Sequence, residues 1–381
     1  MVDFMMLAQS MRQELIDRRR DLHRHPELAF EEIRTAGIVA EELNQLGMEV
    51  QTGIGKTGVI GLLDGATDGP TVLVRADMDA LPVNEENQTN YASTTKGKMH
   101  ACGHDGHVAI GLSVAKIFAQ HRNQIHGRIK FVFQPAEELG QGADAMVADG
   151  ALENPRPDVS LGLHLWNELP VGKIGLSGGP VMAAVSDFEI KITGKGGHGG
   201  IPHETIDPVV CAAQLVTALQ TLVSRNVAPQ DMAVVSVTKI HSGTAFNIIP
   251  NEAVIGGTIR TFRSEVRDLI DNRMREISLS LTASMGCQSE VKINHHTEPV
   301  INDPIVAKKI QDLFVSVVGQ DNLVLQLTLT GEDVGSFMTN VPGTFFFVGS
   351  ANSERELDFA HHHPRFDFDE EALSLGVGLL A

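Results

Sequence analysis

Apolar residues recur at helical spacing over 7–22 and again over 31–46, and Gly47 ends the second run as a C-terminal glycine does. The pattern predicts one helix in each run. It then changes to short β-type runs at 59–63 and 71–75, returns to the helical period from 105 to 121, and gives further β-type runs at 128–133 and 159–165. Strands alternating with helices in this way predict the α/β class, layered around a mixed sheet.

The interval 186–294 has a different rhythm. It offers a strand at 188–193, a helix opening at Pro208 behind Asp207, strands at 232–240 and 253–262, a helix at 265–283 and a strand at 289–293. Aspartate before proline is an N-cap followed by a first-turn residue that has no N–H to leave unpaired. The order β-α-β-β-α-β is the ferredoxin-like pattern. Because α/β signals resume at 305–318 and 343–349, this unit reads as an insertion, bracketed by Gly178-Gly179-Pro180 and Thr297-Glu298-Pro299. The expected division is 1–184 and 298–381 for the two parts of one domain, and 185–297 for the inserted one. The chain shows no internal repeat and no low-complexity tract.

Gly53-Ile54-Gly55-Lys56-Thr57-Gly58 matches the spacing of a dinucleotide-binding loop and carries the Gly-Lys-Thr of a phosphate loop. Such a loop must open a helix, whose N-terminus holds the phosphate. Here Val59-Ile60-Gly61-Leu62-Leu63 continues as a strand, and Val50 stands where a phosphate loop needs its first glycine. A β-hairpin turn is the expected structure.

At 381 residues, with 42% hydrophobic and 20% charged residues, the chain is long enough for two domains with full cores. Its formal charge of −18 repels phosphate backbones and anionic lipid, which argues against nucleic acid and membrane surfaces as partners. An anionic substrate would need a local positive group. Three cysteines, Cys102, Cys211 and Cys287, are too few and odd in number for a disulfide framework. Together with an N-terminus that lacks the apolar core of a signal peptide, they predict a cytoplasmic protein.

Four separated stretches carry potential metal ligands: Met99-His100-Ala101-Cys102-Gly103-His104-Asp105-Gly106-His107, Gln134-Pro135-Ala136-Glu137-Glu138, Gly162-Leu163-His164 and His361-His362-His363-Pro364. None is a zinc motif alone. Each lies at or near the end of a predicted strand, and the carboxyl ends of strands in α/β sheets are where ligands bind. Cys102 and His104, two apart before a helix, can point at one spot, where a metal would favour the thiolate. Of the adjacent pair Glu137 and Glu138, one carboxylate can bind metal while the other takes a proton from activated water. His164 and one histidine of the 361–363 triplet would complete the set.

With Asp21-Leu22-His23-Arg24-His25-Pro26-Glu27-Leu28, Arg75-Ala76-Asp77-Met78-Asp79-Ala80-Leu81-Pro82 and His363-Pro364-Arg365-Phe366-Asp367-Phe368, these stretches resemble the cobalt- or zinc-dependent amidohydrolases. That family includes hippurate hydrolase, N-acyl-amino-acid aminoacylases and the hydrolases of auxin-amino-acid conjugates. The resemblance runs over nearly the whole chain and implies two divalent metal ions, held by Cys102, His104, Glu138, His164 and His362, with Glu137 as general base. His362 is chosen within the triplet because the family pattern is histidine, one variable residue, then proline. The resemblance also makes the inserted domain a lid that dimerises. It assigns His198, in Gly194-Lys195-Gly196-Gly197-His198-Gly199-Gly200, to polarising the scissile carbonyl, and Asn247 and Arg260 to holding substrate. Arginine suits that role because it pairs bidentately with a carboxylate. Asp77 and Asp79 are candidates for supporting the ligands from behind.

The match departs at Val334, where an aromatic residue is expected after the acidic pair, and at His361, which replaces leucine. The expected function is hydrolysis of the amide in an N-acyl amino acid, acetylated, benzoylated or similar, by a homodimer or higher homo-oligomer. The alternatives are a small-peptide carboxypeptidase, an N-acetyl-diaminopimelate deacetylase or, from another class, a metal-binding protein without turnover. A base beside a ligand speaks against the last. Thiolate favours zinc, while imidazole and carboxylate also accept manganese, cobalt or nickel.

Overall fold

The computed structural model describes residues 2–381. The chain divides into two compact units, one formed by 2–181, 300–327 and 332–381 and the other by 182–299 and 328–331.

The first unit is built on an eight-stranded mixed sheet. Its order is Glu49–Ile54, Gly58–Asp64, His126–Gln134, Thr67–Asp77, Val159–Pro170, Gly343–Ala351, Ile174–Gly175 and Leu323–Val324. The four strands from His126–Gln134 to Gly343–Ala351 run parallel, so their carboxyl ends share one edge. Register places Asp77 beside Gln134 and His164 beside Phe347. Every residue of Gly343–Ala351 is buried, which fits its apolar run Phe345-Phe346-Phe347-Val348, since a central strand is covered on both faces.

Helix His104–Gln120 lies close against this sheet because two of its turns carry no side chain there. A Cβ at Gly106 would meet Leu165 at 2.5 Å, and one at Gly111 would meet Phe133 at 3.0 Å. Close approach holds the start of the helix, with Cys102 and His104, against the strand that carries His164.

The N-terminal expectation needs correction. Instead of one helix over 7–22, Phe4–Ser10 and Arg12–Arg24 are separate helices that meet at Met11. The first, capped by the Asp3 carboxylate on the Met6 amide, lies against the C-terminal helix Glu371–Leu380. Gly378 leaves room for Met5 in that contact, since a Cβ there would lie 2.2 Å from the Met5 sulfur. Periodicity cannot see such a break, because the apolar residues on both sides keep helical spacing.

The hairpin expectation for 53–58 holds. Glu49–Ile54 pairs antiparallel with Gly58–Asp64, and Gly53, Gly55 and Lys56 turn the chain with φ of 77°, 61° and 79°.

The second unit has a four-stranded antiparallel sheet ordered Ala233–Ser242, Glu252–Thr261, Ala184–Thr193 and Gln288–Thr297, with helices Pro208–Leu219, Thr221–Asn226 and Ser264–Ser284. In chain order the strands and the two main helices follow the ferredoxin-like β-α-β-β-α-β plan. Ala184–Thr193 alternates, sending Phe188, Ile190 and Ile192 into a core with Leu215, Ile270 and Met274. The Asp207 carboxylate caps its helix by accepting from the Val209 and Val210 amides. Among the described residues, no helix is long and apolar enough to cross a membrane.

Candidate metal centre

The sheet edge and the start of helix His104–Gln120 bring Cys102, His104, Glu137, Glu138, His164 and His362 together. Ligand atoms of Cys102, His104 and His164 lie within 4.8 Å of one another, as do those of Cys102, Glu138 and His362, and those of His104, Glu137 and Glu138. The groups overlap, with Cys102 common to the first two.

Hydrogen bonds fix which imidazole nitrogens face the cluster. His164 Nδ1 is 2.7 Å from the Leu165 carbonyl, which only accepts, so the proton sits on Nδ1 and the Nε2 lone pair faces Cys102 Sγ at 3.6 Å. His104 Nδ1 likewise donates to the Asp79 carbonyl at 2.9 Å, leaving a buried Nε2 with no partner. Glu138 Oε1 is also buried and unpartnered. Buried polar atoms without partners, converging from two elements, fit a cation.

The histidine triplet is sorted by the same test. His361 is half-buried and stacked on Trp166 at 4.7 Å; its Nε2 accepts from the Asn167 amide at 3.2 Å, which puts the proton on Nδ1, 3.8 Å from Cys102 Sγ, and leaves no free ligand atom. His363 stacks on Phe359, and its Nδ1 accepts from the Arg365 amide. His362 points elsewhere, 3.3 Å from Glu138 Oε2, on a left-handed backbone (φ 67°) tied by its amide to the Ala101 carbonyl. Its side chain is 55% exposed.

The electrostatics suit a positive ion as well. Burial, then Glu138, Glu137 and Asp77, push the Cys102 thiol well above its usual range. Burial works against a charged His104, yet Asp77, Asp79 and Glu138 raise it to about 10. Burial, then Glu332, Glu138 and Asp333, push Glu137 well up. A dication among these groups would displace the protons they otherwise hold.

Asp79 organises the cluster. Its Oδ1 accepts from the Glu137 amide at 3.1 Å and its Oδ2 from the Glu138 amide at 3.0 Å, while Oδ1 also lies 3.3 Å from His104 Nδ1. Asp77 accepts from Arg75 at 2.7 Å and from His107 Nδ1 at 2.5 Å. His107 spends its other nitrogen as acceptor for the Leu165 amide, so it supports the site without a free ligand atom.

Sequence reasoning passed over His107, although it sits one helical turn from His104. It also passed over Arg75 as a hub. The Arg75 guanidinium is buried and bonds Gln134, Asp77 and both oxygens of Glu332, while Gln134 and the Ala143 amide bond Asp333. The acidic pair at 332–333, noted in the sequence only for the valine after it, is therefore part of the support.

His198, Asn247 and Arg260 belong to the second unit. Gly197–His198 pairs with Ile248–Ile249, and the Gly199 amide donates to the Asn247 carbonyl. His198 Nδ1 accepts from the Gly200 amide at 3.0 Å, and the ring is exposed. Arg260 bonds the Leu329 and Ile259 carbonyls and Thr258 Oγ1. No carboxylate among the described residues forms an ion pair with it, and burial lowers its pKa.

Residues 73–381 match the model of peptidase family M20/M25/M40. The N-acyl-L-amino acid amidohydrolase of Geobacillus stearothermophilus is 46% identical over 78% of this chain and 80% of its own length. The N-acetylcysteine deacetylase of Bacillus subtilis is 39% identical over 95% of this chain and 93% of its own. Among solved structures, the YXEP protein of Bacillus subtilis, a dinuclear metal binding peptidase from the M20 family, superposes with a TM-score of 0.85 at 35% identity, covering 97% of this chain and 96% of that one.

Proposed function

We propose that this chain, which belongs to peptidase family M20/M25/M40, is a metal-dependent hydrolase of the amide bond in N-acyl amino acids. The observation that carries the reading is the paired carboxylates Glu137 and Glu138 beside Cys102, His104 and His362, with one carboxylate more than the ligands need. A structural metal site has no use for that spare base. The similarity to an N-acyl-L-amino acid amidohydrolase and an N-acetylcysteine deacetylase supports the substrate class.

Two divalent ions would be held by Cys102, His104, Glu138, His164 and His362, with Cys102 available to both, and zinc is the expected metal because of the thiolate. When bound, they supply Lewis acidity to a water and to the amide carbonyl. Glu137 takes a proton from the attacking water and returns it to the leaving nitrogen, so that amide and water become carboxylic acid and amine. Asp79 keeps the base and its neighbour in fixed positions through their amides. Asp77 and His107 hold the ligand helix and the His164 strand from behind.

His198 is proposed to polarise the scissile carbonyl, Asn247 to position substrate and Arg260 to receive its carboxylate. An unpaired guanidinium is suited to that task in a chain of net charge −18. Assembly as a homodimer through the inserted unit is part of the proposal and is read by sedimentation.

The test is a hydrolysis screen in which acyl group and amino acid vary separately, with dipeptides included, on wild type, Glu137→Gln and Glu138→Gln. Glu137→Gln should retain metal and lose activity about a hundredfold or more. Glu138→Gln should lose metal. Exchanged phenotypes would reverse the roles, and dipeptide turnover without N-acyl amino acid turnover would replace this reading by a carboxypeptidase.

A further inference from the structure

Glu32 is fully buried at the N-cap of helix Ile33–Gln45, beside first-turn amides that need a side-chain acceptor. It makes no bond to them. Glu27 performs that task instead, accepting from the Arg34 and Thr35 amides at 2.8 Å each. The Glu32 side chain turns to the hairpin and to the loop after strand His126–Gln134. Its Oε1 accepts from the Phe30 amide and the Ala136 amide at 2.9 Å each, and its Oε2 accepts from Thr57 Oγ1 at 2.5 Å.

Ala136 is the residue just before Glu137 and has left-handed backbone angles, φ 51° and ψ 39°. A residue with a Cβ holds that conformation only when its surroundings impose it. The amides of 136, 137 and 138 thus donate in succession to Glu32 Oε1, Asp79 Oδ1 and Asp79 Oδ2. Consecutive N–H groups in such a turn form a concavity that binds anions, and here two buried carboxylates fill it.

We propose that Glu32 is a positioning residue that, braced by Thr57, locks the left-handed turn at Ala136 and so sets the placement of Glu137 and Glu138. The hairpin 53–58 then serves the site mechanically. It delivers Thr57 to Glu32, and its Gly55 amide is anchored to Asp149 at 2.8 Å. The inference rests on the function proposed above in that it takes Glu138 as ligand and Glu137 as base.

The experiment compares Glu32→Gln, Glu32→Asp and Thr57→Val. Zinc affinity of the metal-free protein is read by chelator competition, and kcat and KM are read on the zinc-loaded protein. Glutamine keeps an acceptor for Ala136 and can donate to Thr57, so both zinc affinity and kcat should stay near wild type. Aspartate keeps the charge but withdraws the acceptor by one methylene, so zinc affinity and kcat should each fall about 10- to 100-fold with KM little changed, the usual range for residues that orient ligands. Thr57→Val should shift both in the same direction by less, and it carries the test if the aspartate variant does not fold. Wild-type zinc affinity and kcat in the aspartate variant, or in Thr57→Val where it stands in, would overturn the proposal, as would a glutamine variant as impaired as aspartate. Failure of wild type to hydrolyse any N-acyl amino acid would sink the functional reading alone, because the order of zinc affinities still tests the lock.

Discussion

Replacing Arg75 by methionine keeps an unbranched, largely apolar stem but removes the guanidinium, the largest opposing charge on a buried acidic group. Arg75 Nη1 lies 2.7 Å from Asp77, its Nη2 lies 2.7 Å from Glu332, and its Nε donates to Gln134 at 2.8 Å. After substitution Asp77 keeps His107 and Glu332 Oε1 keeps the Val334 amide, but Glu332 Oε2 loses its partner. Removing one member of a buried ion pair costs about 3–5 kcal/mol, because the charge left behind cannot reach water. The comparison is Arg128→Met, which breaks a pair with Asp64 at 3.0 Å whose side chains are 42% and 59% exposed. Such exposed pairs contribute roughly 0.2–1 kcal/mol.

Urea denaturation of metal-free protein, followed by fluorescence of the sole tryptophan, reports on the first unit, because Trp166 is buried there. The sign with pH also follows. Burial works to raise Asp77, but Arg75, His104 and His107 outweigh it and hold the carboxyl well below its ordinary range. A depressed carboxyl stabilises above its unfolded pKa of about 4 and loses that contribution as pH falls through the folded value. The gap between wild type and Arg75→Met should therefore be largest near neutrality and narrow below about pH 4. An Arg75→Met protein within about 1 kcal/mol of wild type at neutral pH would refute the reasoning.

Cys102→Ala should lower bound metal by elemental analysis and hydrolysis with it, whereas full occupancy would remove Cys102 from the ligand set. For His23, burial and Arg19 lower the pKa, but hydrogen bonds to Asp105 and Glu85 raise it to about 9. Its contribution to stability is complete below about pH 6.5 and fades as pH rises through 9, so the stability gap between wild type and His23→Gln should shrink over that interval. Mixing His198→Ala with Glu137→Gln protein should return activity to roughly a quarter of wild type if His198 serves the partner's site in a two-fold dimer. Verified subunit exchange without recovery would place both residues' action within one chain.

What the sequence made legible were side chains whose chemistry is carried by residue type. Glu137 and Glu138 follow the end of strand His126–Gln134, His164 lies within Val159–Pro170, and Cys102 and His104 lie at the start of helix His104–Gln120, where the parallel central strands gather them. Less legible were groups that act on backbone. Glu32 lies in an ordinary amphipathic run, and only folding reveals that its partner is the amide of Ala136. The triplet 361–363 was ambiguous for a related reason, since three equal side chains differ only in what their nitrogens already hold. The split at Met11 escaped because a helix pattern records faces, which one non-helical residue between two helices leaves unchanged.

The cluster is lopsided in its exposure: Cys102, His104 and His164 are sealed in the first unit, while His362 stands more than half open on a loop. On the proposed ligand set this gives the centre a door. On those ligands the group of Cys102, Glu138 and His362 is the one that solvent reaches, while every donor in the group of Cys102, His104 and His164 is enclosed. Metal at the group containing His362 would then be expected to exchange faster than metal at the enclosed group. The cation found in purified protein would thus record the medium it last passed through, and its identity would be a property of handling as much as of sequence.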